Sequence, residues 1–413
     1  MFSASTAFLP SSFTMYTSTM GLAFALRRQY LGATVCFGIG AVLGWPFSVI
    51  LFMPVVVLSM MESHFPFFSY VRGGIASSQV LLISTVFDYT KYRIWTLVPL
   101  NIILYNVLAA QQGRGPEVFG VEPVSYYFKN LLLNFNIMFP LALIAVPVVL
   151  VAGIDKLQRI KATACFLVWI LVFSLQPHKE ERFMYPVYPA LVLNCAISLR
   201  AILETFGTTN VYISTKLGIQ KDALQNTCKI CFILTSALLS VLRISLMIDN
   251  YSAPLALFPS LPAGQRYCIA GDWYRFPTSF LLPHNSSLSF VESDFKGLLP
   301  GKFRDTWTLP SGMNDQNMWS ADKVIKLSDC DALVSWKPEL SSNHQFYFLD
   351  RETGTKHPGY YGYESLKQEN SADRLNRLGI DLFGRKLDKE GKRFEEGELA
   401  GAIQRDSPKS VLK

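Results

Sequence analysis

The sequence has 413 residues, of which half are hydrophobic and only 17% are charged. This composition is too apolar for an ordinary soluble protein. The net charge of +7 lies entirely in residues 1–250, which hold 17 basic and 10 acidic residues, whereas residues 251–413 hold 21 of each. Because short cytoplasmic loops of membrane proteins carry such a basic excess, the charge gives no support to a nucleic-acid partner.

Apolar runs of about 20 residues, enough to cross a bilayer, divide the first part of the chain. They predict membrane-spanning helices at 7–26, 33–61, 130–153, 162–177, 183–206 and 228–248. The run 33–61 contains Pro46 and Pro54, so it is expected to be kinked or broken into two pieces. Two further stretches, 74–87 and 94–109, are short or interrupted by polar residues, and an interfacial or re-entrant position stays open for them.

After Asn250 the sequence becomes polar and rich in Pro, Gly and aromatic residues, with strand-like runs at 266–270 and 332–336. The last fifty residues are highly charged and too polar for a packed core. The predicted fold class is therefore a polytopic α-helical membrane protein with a C-terminal luminal α+β domain. Its predicted parts are a transmembrane domain (1–249), a luminal soluble domain (250–363) and a charged tail (364–413).

Two glycosylation sequons, Asn250-Tyr-Ser and Asn285-Ser-Ser, place the polar domain in the lumen if they are acceptors. Alternation of the spans then puts the basic loop 155–161 in the cytoplasm, as expected for such a loop. The segments 88–129 and 178–182 become luminal.

Two basic residues near the start, Arg27 and Arg28, should also be cytoplasmic. That requires the run 33–61 to cross the membrane twice, or the stretch 74–87 not to cross at all. Both alternatives stay open at this stage.

The seven cysteines show no metal-ligand pattern. Cys228 and Cys231 begin an apolar segment and are interpreted as buried thiols. Cys268 and Cys330 lie in the part assigned to the oxidising lumen, where a disulfide between them is a reasonable hypothesis. The Asp-x-Asp sequence at 329–331 is interpreted as structural, and no metal is expected.

Five consecutive ionisable residues, 178–182, stand between two apolar spans. Ionisable side chains at membrane depth cost about 2.5–3.5 kcal/mol each on insertion scales and usually mark a site. The alternative is a solvated turn whose charges pair with one another. Three prolines and three aromatic residues favour a site, because they stiffen the connection and give it flat amphipathic surface: Pro177, Phe183, Tyr185, Pro186, Tyr188 and Pro189.

The residue types in this run suit a phosphate at the membrane surface. Arg182 can bind a phosphate through a bidentate fork and Lys179 as a point charge. Glu180 and Glu181 can hold these cations or bind sugar hydroxyls, and His178 can donate or accept a hydrogen bond near neutral pH.

The run His-Lys-Glu-Glu-Arg-Phe at 178–183 resembles the His-Lys-Glu-x-Arg-Phe signature of the dolichyl-phosphate-mannose-dependent mannosyltransferases, endoplasmic-reticulum enzymes of the GT-C type. Further motifs, in the same order, resemble the α-1,2-mannosyltransferases of asparagine-linked glycosylation in glycosyltransferase family 22. Together with the charged run, they lie at 1–16, 40–48, 100–107, 134–136, 178–189, 272–283 and 313–317.

The resemblance implies a multi-pass protein of the endoplasmic reticulum membrane that uses dolichyl phosphate mannose and needs no cofactor. It would add α-1,2-linked mannose to dolichyl-diphosphate oligosaccharide at the seventh and ninth mannose, by a single inverting displacement. The family's expected catalytic base lies in a luminal loop ahead of the stretch that begins here at Met1, so an N-terminal truncation is expected. Glu122 is expected to orient donor or acceptor, or to be an ordinary loop acid.

Three other interpretations stay open. Sister mannosyltransferases of α-1,6 or glycolipid-anchor type share the charged signature, and a truncated form without the base would be inactive. A lipid transporter should show paired repeats and polar residues deep within its helices, and neither is evident in this sequence.

Overall fold

The computed structural model describes residues 2–109, 115–152, 156–209, 221–251, 255, 258–271, 273–275, 278–301, 311–334 and 348–350. These residues form a mostly helical protein with one small sheet. The tail predicted at 364–413 lies outside the described residues, as do residues 351–363 of the predicted soluble domain.

The described residues before 252 are mainly helical. In chain order the α-helices are α1 (Phe2–Thr6), α2 (Pro10–Leu26), α3 (Tyr30–Ile39), α4 (Ser48–Ser59), α5 (Phe67–Tyr92), α6 (Val98–Ile103), α7 (Ser125–Phe135), α8 (Met138–Leu143), α9 (Ala145–Ala152), α10 (Lys156–Leu175), α11 (Tyr188–Thr209) and α12 (Lys221–Tyr251). π-helical turns continue α3 and α6, at Gly40–Gly44 and Leu104–Ala109. Single 3₁₀ turns lie at Pro116–Phe119, Glu181–Val187, Phe258–Ser260, Trp273–Arg275, Ser279–Leu281, Ala321–Lys323 and Leu327–Asp329.

The apolar run 33–61 is broken rather than kinked. Helix α3 passes into its π-helical turn, and the backbone of Trp45 is then extended, with φ −127° and ψ 117°. A residue that precedes a proline is pushed into this conformation, and Pro46 follows. Of the two expected outcomes, a kink or a break into two pieces, the structure shows the break.

The single span predicted at 130–153 is wrong, because three short helices occupy it. Helix α7 ends at Asn136, which has a positive φ of 49°. Pro140 and Pro147 then stand in the first turns of α8 and α9, where a proline without its N–H is tolerated. The prolines therefore fit helix starts better than the interior of one long helix.

A buried polar cluster ties together one end of the helical part. The hydroxyl of Tyr30 donates to Glu62 at 2.7 Å, and the amine of Lys161 donates to Tyr30 at 2.9 Å and to the Glu62 carboxylate. Gln158 donates to the carbonyl of Ala25 at 2.9 Å. We call this the basic end, formed by residues 25–30, 60–66 and 156–161.

The opposite end holds the charged run, and we call it the motif end. Trp45, which connects α3 to α4, stacks on Phe183 with ring centroids 5.0 Å apart. Since Tyr30 and Glu62 are bonded at the basic end, residues 30–59 run to the motif end and return. This course agrees with the alternative in which 33–61 passes twice, and Arg27 and Arg28 fall at the basic end with residues 156–161 of α10.

Helix α5 is longer than the apolar stretch 74–87 suggested. It has 26 residues, or about 39 Å at 1.5 Å per residue. It runs alongside α3 because small residues allow a close approach. A β-carbon on Gly38 would collide with Ser77, and one on Gly73 would lie 2.5 Å from the Thr34 β-carbon.

By length and composition, three described helical segments could cross a membrane: Leu157–Leu175, Glu181–Glu204 and Gln225–Ile248. The last of these, within α12, has no buried residues in its most apolar window. Cys228 and Cys231 lie on it and are exposed, so the expectation that they are buried is wrong. The apolar surface of α12 faces outward, as expected of a lipid-facing helix.

The sheet follows the helical part and consists of β1 (Arg266–Ile269), β2 (Ser287–Val291), β3 (Val324–Ile325), β4 (Ala332–Val334) and β5 (Phe348–Asp350), in the order β3-β2-β1-β4-β5. All neighbours are parallel except β4 and β5. A disulfide joins Cys268 of β1 to Cys330, just before β4. The carboxylate of Asp331 accepts from the Arg266 amide at 2.7 Å, so this acid holds the sheet together.

Adjacent glycines in α5 give a matched test of the contact between α3 and α5. Gly73→Ala should lower the melting temperature of the detergent-solubilised protein, because overpacking costs about 1–3 kcal/mol. Gly74→Ala should leave it unchanged or raise it, since nothing lies within 4 Å of that site and alanine favours a helix by about 1 kcal/mol. Melting is followed by intrinsic fluorescence. Equal changes in melting temperature for the two substitutions would contradict the close contact between α3 and α5.

Candidate active site

The charged run lies in the connection between α10 and α11, which we call the motif loop (residues 176–187). The backbone of Glu180 is extended, with φ −132° and ψ 149°, and the loop then forms the 3₁₀ segment Glu181–Val187. The indole of Trp169 donates to the carbonyl of Phe183 at 3.1 Å. This bond and the stacking of Trp45 on Phe183 hold the loop against the helical core.

The ring of His178 is held on both sides. Its Nδ1 lies 2.8 Å from the carbonyl oxygen of Gly120, and its Nε2 lies 3.0 Å from a carboxylate oxygen of Glu180. The hydrogen bond to Glu180 raises the pKa of His178, and the Gly120 carbonyl adds to this against the lowering effect of burial. His178 is therefore a stronger base than an ordinary histidine.

Glu180 also binds Arg182 through a fork of two contacts. The Arg182 Nε lies 2.6 Å from one carboxylate oxygen, and an Nη donates to the other at 2.7 Å. Burial raises the pKa of Glu180, but the hydrogen bonds from His178 and Arg182 outweigh it and bring the pKa below its usual value. Because the Arg182 side chain is 48% exposed and a guanidinium has five N–H donors, donors remain for a ligand.

The side chain of Lys179 donates to two backbone carbonyls, whereas those of His178 and Arg182 both contact Glu180. Its buried amine donates to the carbonyl of Glu122 at 2.8 Å and to the carbonyl of Gln176. The amide of Glu122 donates in turn to the carbonyl of Pro177 at 3.0 Å. Burial lowers the pKa of Lys179 and the Glu122 carboxylate opposes that effect. Lys179 therefore fastens the segment 115–124 to the motif loop.

Glu181 points away from the other charged groups of the motif. Its two carboxylate oxygens accept from the side-chain amides of Asn130 and Asn134, both at 3.2 Å. These asparagines stand one turn apart on α7. The structure thus brings His178, Glu180 and Arg182 together and turns Glu181 toward α7.

Three cavities meet at His178. One of about 280 Å³ is lined by Phe119 and Gly120 and by five ionisable residues, Glu122, His178, Lys179, Glu180 and Arg182; we call it the charged cavity. A second, of about 260 Å³, is largely apolar and has walls that include Trp45, Phe47, Ile50, Val172, Phe173 and Phe183. A third, of about 240 Å³, connects Arg182 to Leu9, Pro10, Ser11 and Tyr105.

Of the remaining predicted site residues, Glu122 borders this cluster. Glu122 is exposed and lines the charged cavity, where its carboxylate has no hydrogen-bond partner among the described residues. Asn285 is exposed in the turn before β2, whereas the side chain of Asn250, near the end of α12, lies outside what the structure describes. No cluster of three or more metal-ligating side chains occurs within the described ranges.

The sequence analysis did not assign Trp45, Tyr105 and Gly120 to the site. Trp45 and Tyr105 belong to stretches that were noted only for their resemblance to the family, and Gly120 contributes only a backbone carbonyl. For these three residues, the only local signal in the sequence is the Trp45-Pro46 pair, which stands inside the apolar run 33–61.

A known protein family matches the part of the chain that holds the site. The family model described as the Alg9-like mannosyltransferase family matches residues 1–283, which is more than half of the chain. The chain belongs to the Alg9-like mannosyltransferase family. The matched range includes every described helix of the helical part, the motif loop and the residues that line the cavities.

Curated members of the Alg9-like family match most of the chain. The α-1,2-mannosyltransferase alg9 of Schizosaccharomyces pombe is 36% identical over 396 residues, which is 87% of this chain and 67% of the relative. The mouse and human enzymes of the same name are 33% and 32% identical over 364 and 401 residues, covering 81% and 86% of this chain and 58% and 64% of the relatives. The chain thus spans about three-fifths of the length of these relatives. No solved structure matches it.

Proposed function

We propose that this protein transfers mannose from dolichyl phosphate mannose, in α-1,2 linkage, to a dolichyl-diphosphate oligosaccharide during assembly of the asparagine-linked glycan precursor. The seventh and ninth mannose residues are the proposed products. The observation that carries the proposal is the position of His178, which lines both an apolar, aromatic-walled cavity and a charged cavity that Arg182 also lines. An isoprenoid phosphate consists of an apolar chain joined to a charged phosphate, so its two parts match the apolar and the charged cavity.

The apolar cavity is suited to the end of the isoprenoid chain that carries the phosphate. Trp45, Phe173 and Phe183 form its wall through ring contacts of 5.0 to 6.4 Å. Flat rings give an apolar chain a large contact area at little entropic cost. The phosphate at the end of that chain would then meet His178 and Arg182.

In the proposed reaction an acceptor hydroxyl attacks C1 of the mannosyl group while the bond from C1 to the phosphate oxygen breaks. The proton of the hydroxyl passes to a base, and the dolichyl phosphate leaves with an added negative charge. A β-linked donor gives an α product by this single displacement. Arg182 and protonated His178 stabilise the charge that develops on the leaving phosphate, and preorganised donors of this kind supply much of an enzyme's rate enhancement.

Glu122 is proposed to orient substrate hydroxyls. Its carboxylate lines the charged cavity, whereas both carboxylate oxygens of Glu180 are occupied by His178 and Arg182. The backbone of Glu122 is fixed from both sides by Lys179 and Pro177. A fixed backbone with an available carboxylate suits the binding of hydroxyl donors.

The motif end is proposed to face the lumen of the endoplasmic reticulum. The basic end carries Arg27, Arg28, Arg159 and Lys161, and short cytoplasmic segments are enriched in such residues. The disulfide between Cys268 and Cys330 supports an oxidising compartment for the sheet. We call the part of the chain that carries β1–β5 the sheet domain. A hydrogen bond from the Tyr105 hydroxyl to the Asp315 carbonyl, at 3.2 Å, connects the sheet domain to the motif end.

Arg182→Ala tests the assigned phosphate contact. We expect kcat/KM to fall at least about a hundredfold, because loss of one donor to a developing negative charge costs that much or more. The matched control is Arg200→Ala, which removes an exposed arginine paired with Glu204 on α11 and should have no effect, since such pairs contribute little. The measurement is the conversion of the six-mannose lipid-linked intermediate in cells that accumulate it.

The two variants must be compared at equal protein levels in the membrane. Complementation by Arg182→Ala as complete as that by Arg200→Ala would show that the phosphate contact is wrongly assigned. Failure of the unaltered protein to convert the intermediate would contradict the proposed activity itself.

The luminal orientation predicts glycosylation of Asn285, whose side chain is exposed in the turn before β2. Endoglycosidase treatment of the protein from cells should increase its mobility on a gel, and Asn285→Gln should remove the part of the shift that belongs to this site. Glu292→Gln, at an exposed position just after β2, serves as the control. An Asn285→Gln pattern identical to that of the control would argue against a glycan at this site.

A further inference from the structure

We propose that the loop of residues 313–318 binds the glycan of the acceptor and that Asp315 and Gln316 contact its mannose hydroxyls. This inference rests on the proposed function and names a second set of substrate contacts on the sheet side of the site. We call this segment the 313–318 loop. It precedes β3 in the chain and is separated in sequence from every residue of the motif loop.

The 313–318 loop lies beside the cavity that Arg182 lines. The hydroxyl of Tyr105 donates to the backbone carbonyl of Asp315 at 3.2 Å. Tyr105 itself lines the cavity of about 240 Å³ together with His178 and Arg182. A sugar chain whose terminal hydroxyl reaches the donor near Arg182 therefore has the 313–318 loop along its path.

The backbone of the loop is fixed from within. The side-chain oxygen of Asn314 accepts from the amides of Gln316 at 3.1 Å and Met318 at 2.9 Å, and its amide group donates to the Met318 carbonyl at 3.0 Å. Asn317 adopts a positive φ of 53°, and its side-chain oxygen accepts from the amide of Leu298 at 2.9 Å. Asparagine tolerates this conformation better than most residues.

The residues that flank the loop are fixed as well. Asp322 accepts from the hydroxyls of Ser311 at 2.8 Å and Ser320 at 2.5 Å. These two hydrogen bonds, from Ser320 first and then Ser311, bring the pKa of Asp322 down to about 2. The buried amine of Lys323 donates to the Ser311 carbonyl. The two flanks of the loop are thus held to each other, directly before β3.

The side chains of Asp315 and Gln316 take no part in this bracing. Both residues are exposed, and neither side chain has a hydrogen-bond partner among the described residues. A carboxylate accepts hydrogen bonds and an amide both donates and accepts, which matches the vicinal hydroxyls of a sugar. A preorganised backbone lowers the cost of ordering such contacts when a ligand binds. The combination of a fixed loop, uncommitted planar polar groups and a position at the cavity points to glycan recognition.

The test is the double substitution Asp315→Ala with Gln316→Ala in membranes that contain the protein. We expect KM for the six-mannose dolichyl-diphosphate acceptor to rise about tenfold, as for the loss of about 1.4 kcal/mol of binding free energy. KM for dolichyl phosphate mannose should stay unchanged, because the donor contacts lie on the motif loop. The matched control is Asp294→Ala, at an exposed acid of the same domain, which should change neither constant.

Binding of the same acceptor to purified protein without donor gives a second readout that does not depend on turnover. The double variant should bind it about tenfold more weakly than the unaltered protein. Unchanged acceptor KM and unchanged binding would overturn the proposal, as would an equal rise of both KM values. If the unaltered protein bound the acceptor through this loop but showed no turnover, the glycan site would stand and the proposed function would fall.

Discussion

The carboxylate of Glu180 is the interaction on which the site depends. One of its oxygens contacts His178 at 3.0 Å, and the pair of oxygens binds Arg182 at 2.6 and 2.7 Å. Two cations around one carboxylate leave a net positive charge on the cluster of His178, Glu180 and Arg182 when His178 is protonated. Such a group is costly beside a membrane unless every partner is hydrogen-bonded, and here the bonds to Gly120 and within the motif loop provide that. The phosphate proposed to bind there would offset the remaining charge.

The helical core positions this cluster by fixing both ends of the molecule. At the basic end, Lys161, Glu62 and Tyr30 form a buried hydrogen-bonded group that joins α10, the segment after α4 and the start of α3. Because α3 starts at that group and α4 ends beside it, the turn between them carries Trp45 to the motif loop. The position of Trp45 in the aromatic wall of the apolar cavity therefore depends on the hydrogen bonds at the basic end, which fix the course of α3 and α4.

Sequence reasoning succeeded where the signal was local. It identified the charged run, the break near Pro46, the strands that begin at 266 and 332, and the proximity of Cys268 to Cys330. It missed what depends on contacts between distant segments, such as the Gly120 carbonyl on His178. It also missed the contact of Gly73 and Ser77 with α3, because hydropathy carries no signal of such a contact. In 130–153 the hydropathy was continuous, and only Asn136 and the prolines signalled the breaks.

The most direct test of the account is a structure of the protein in lipid nanodiscs with dolichyl phosphate mannose bound. The account predicts phosphate density against the guanidinium of Arg182 and the ring of His178, with the first isoprene units between Trp45 and Phe173. Phosphate density elsewhere in the molecule, with Arg182 still bound only to Glu180 and the aromatic cavity empty, would contradict it.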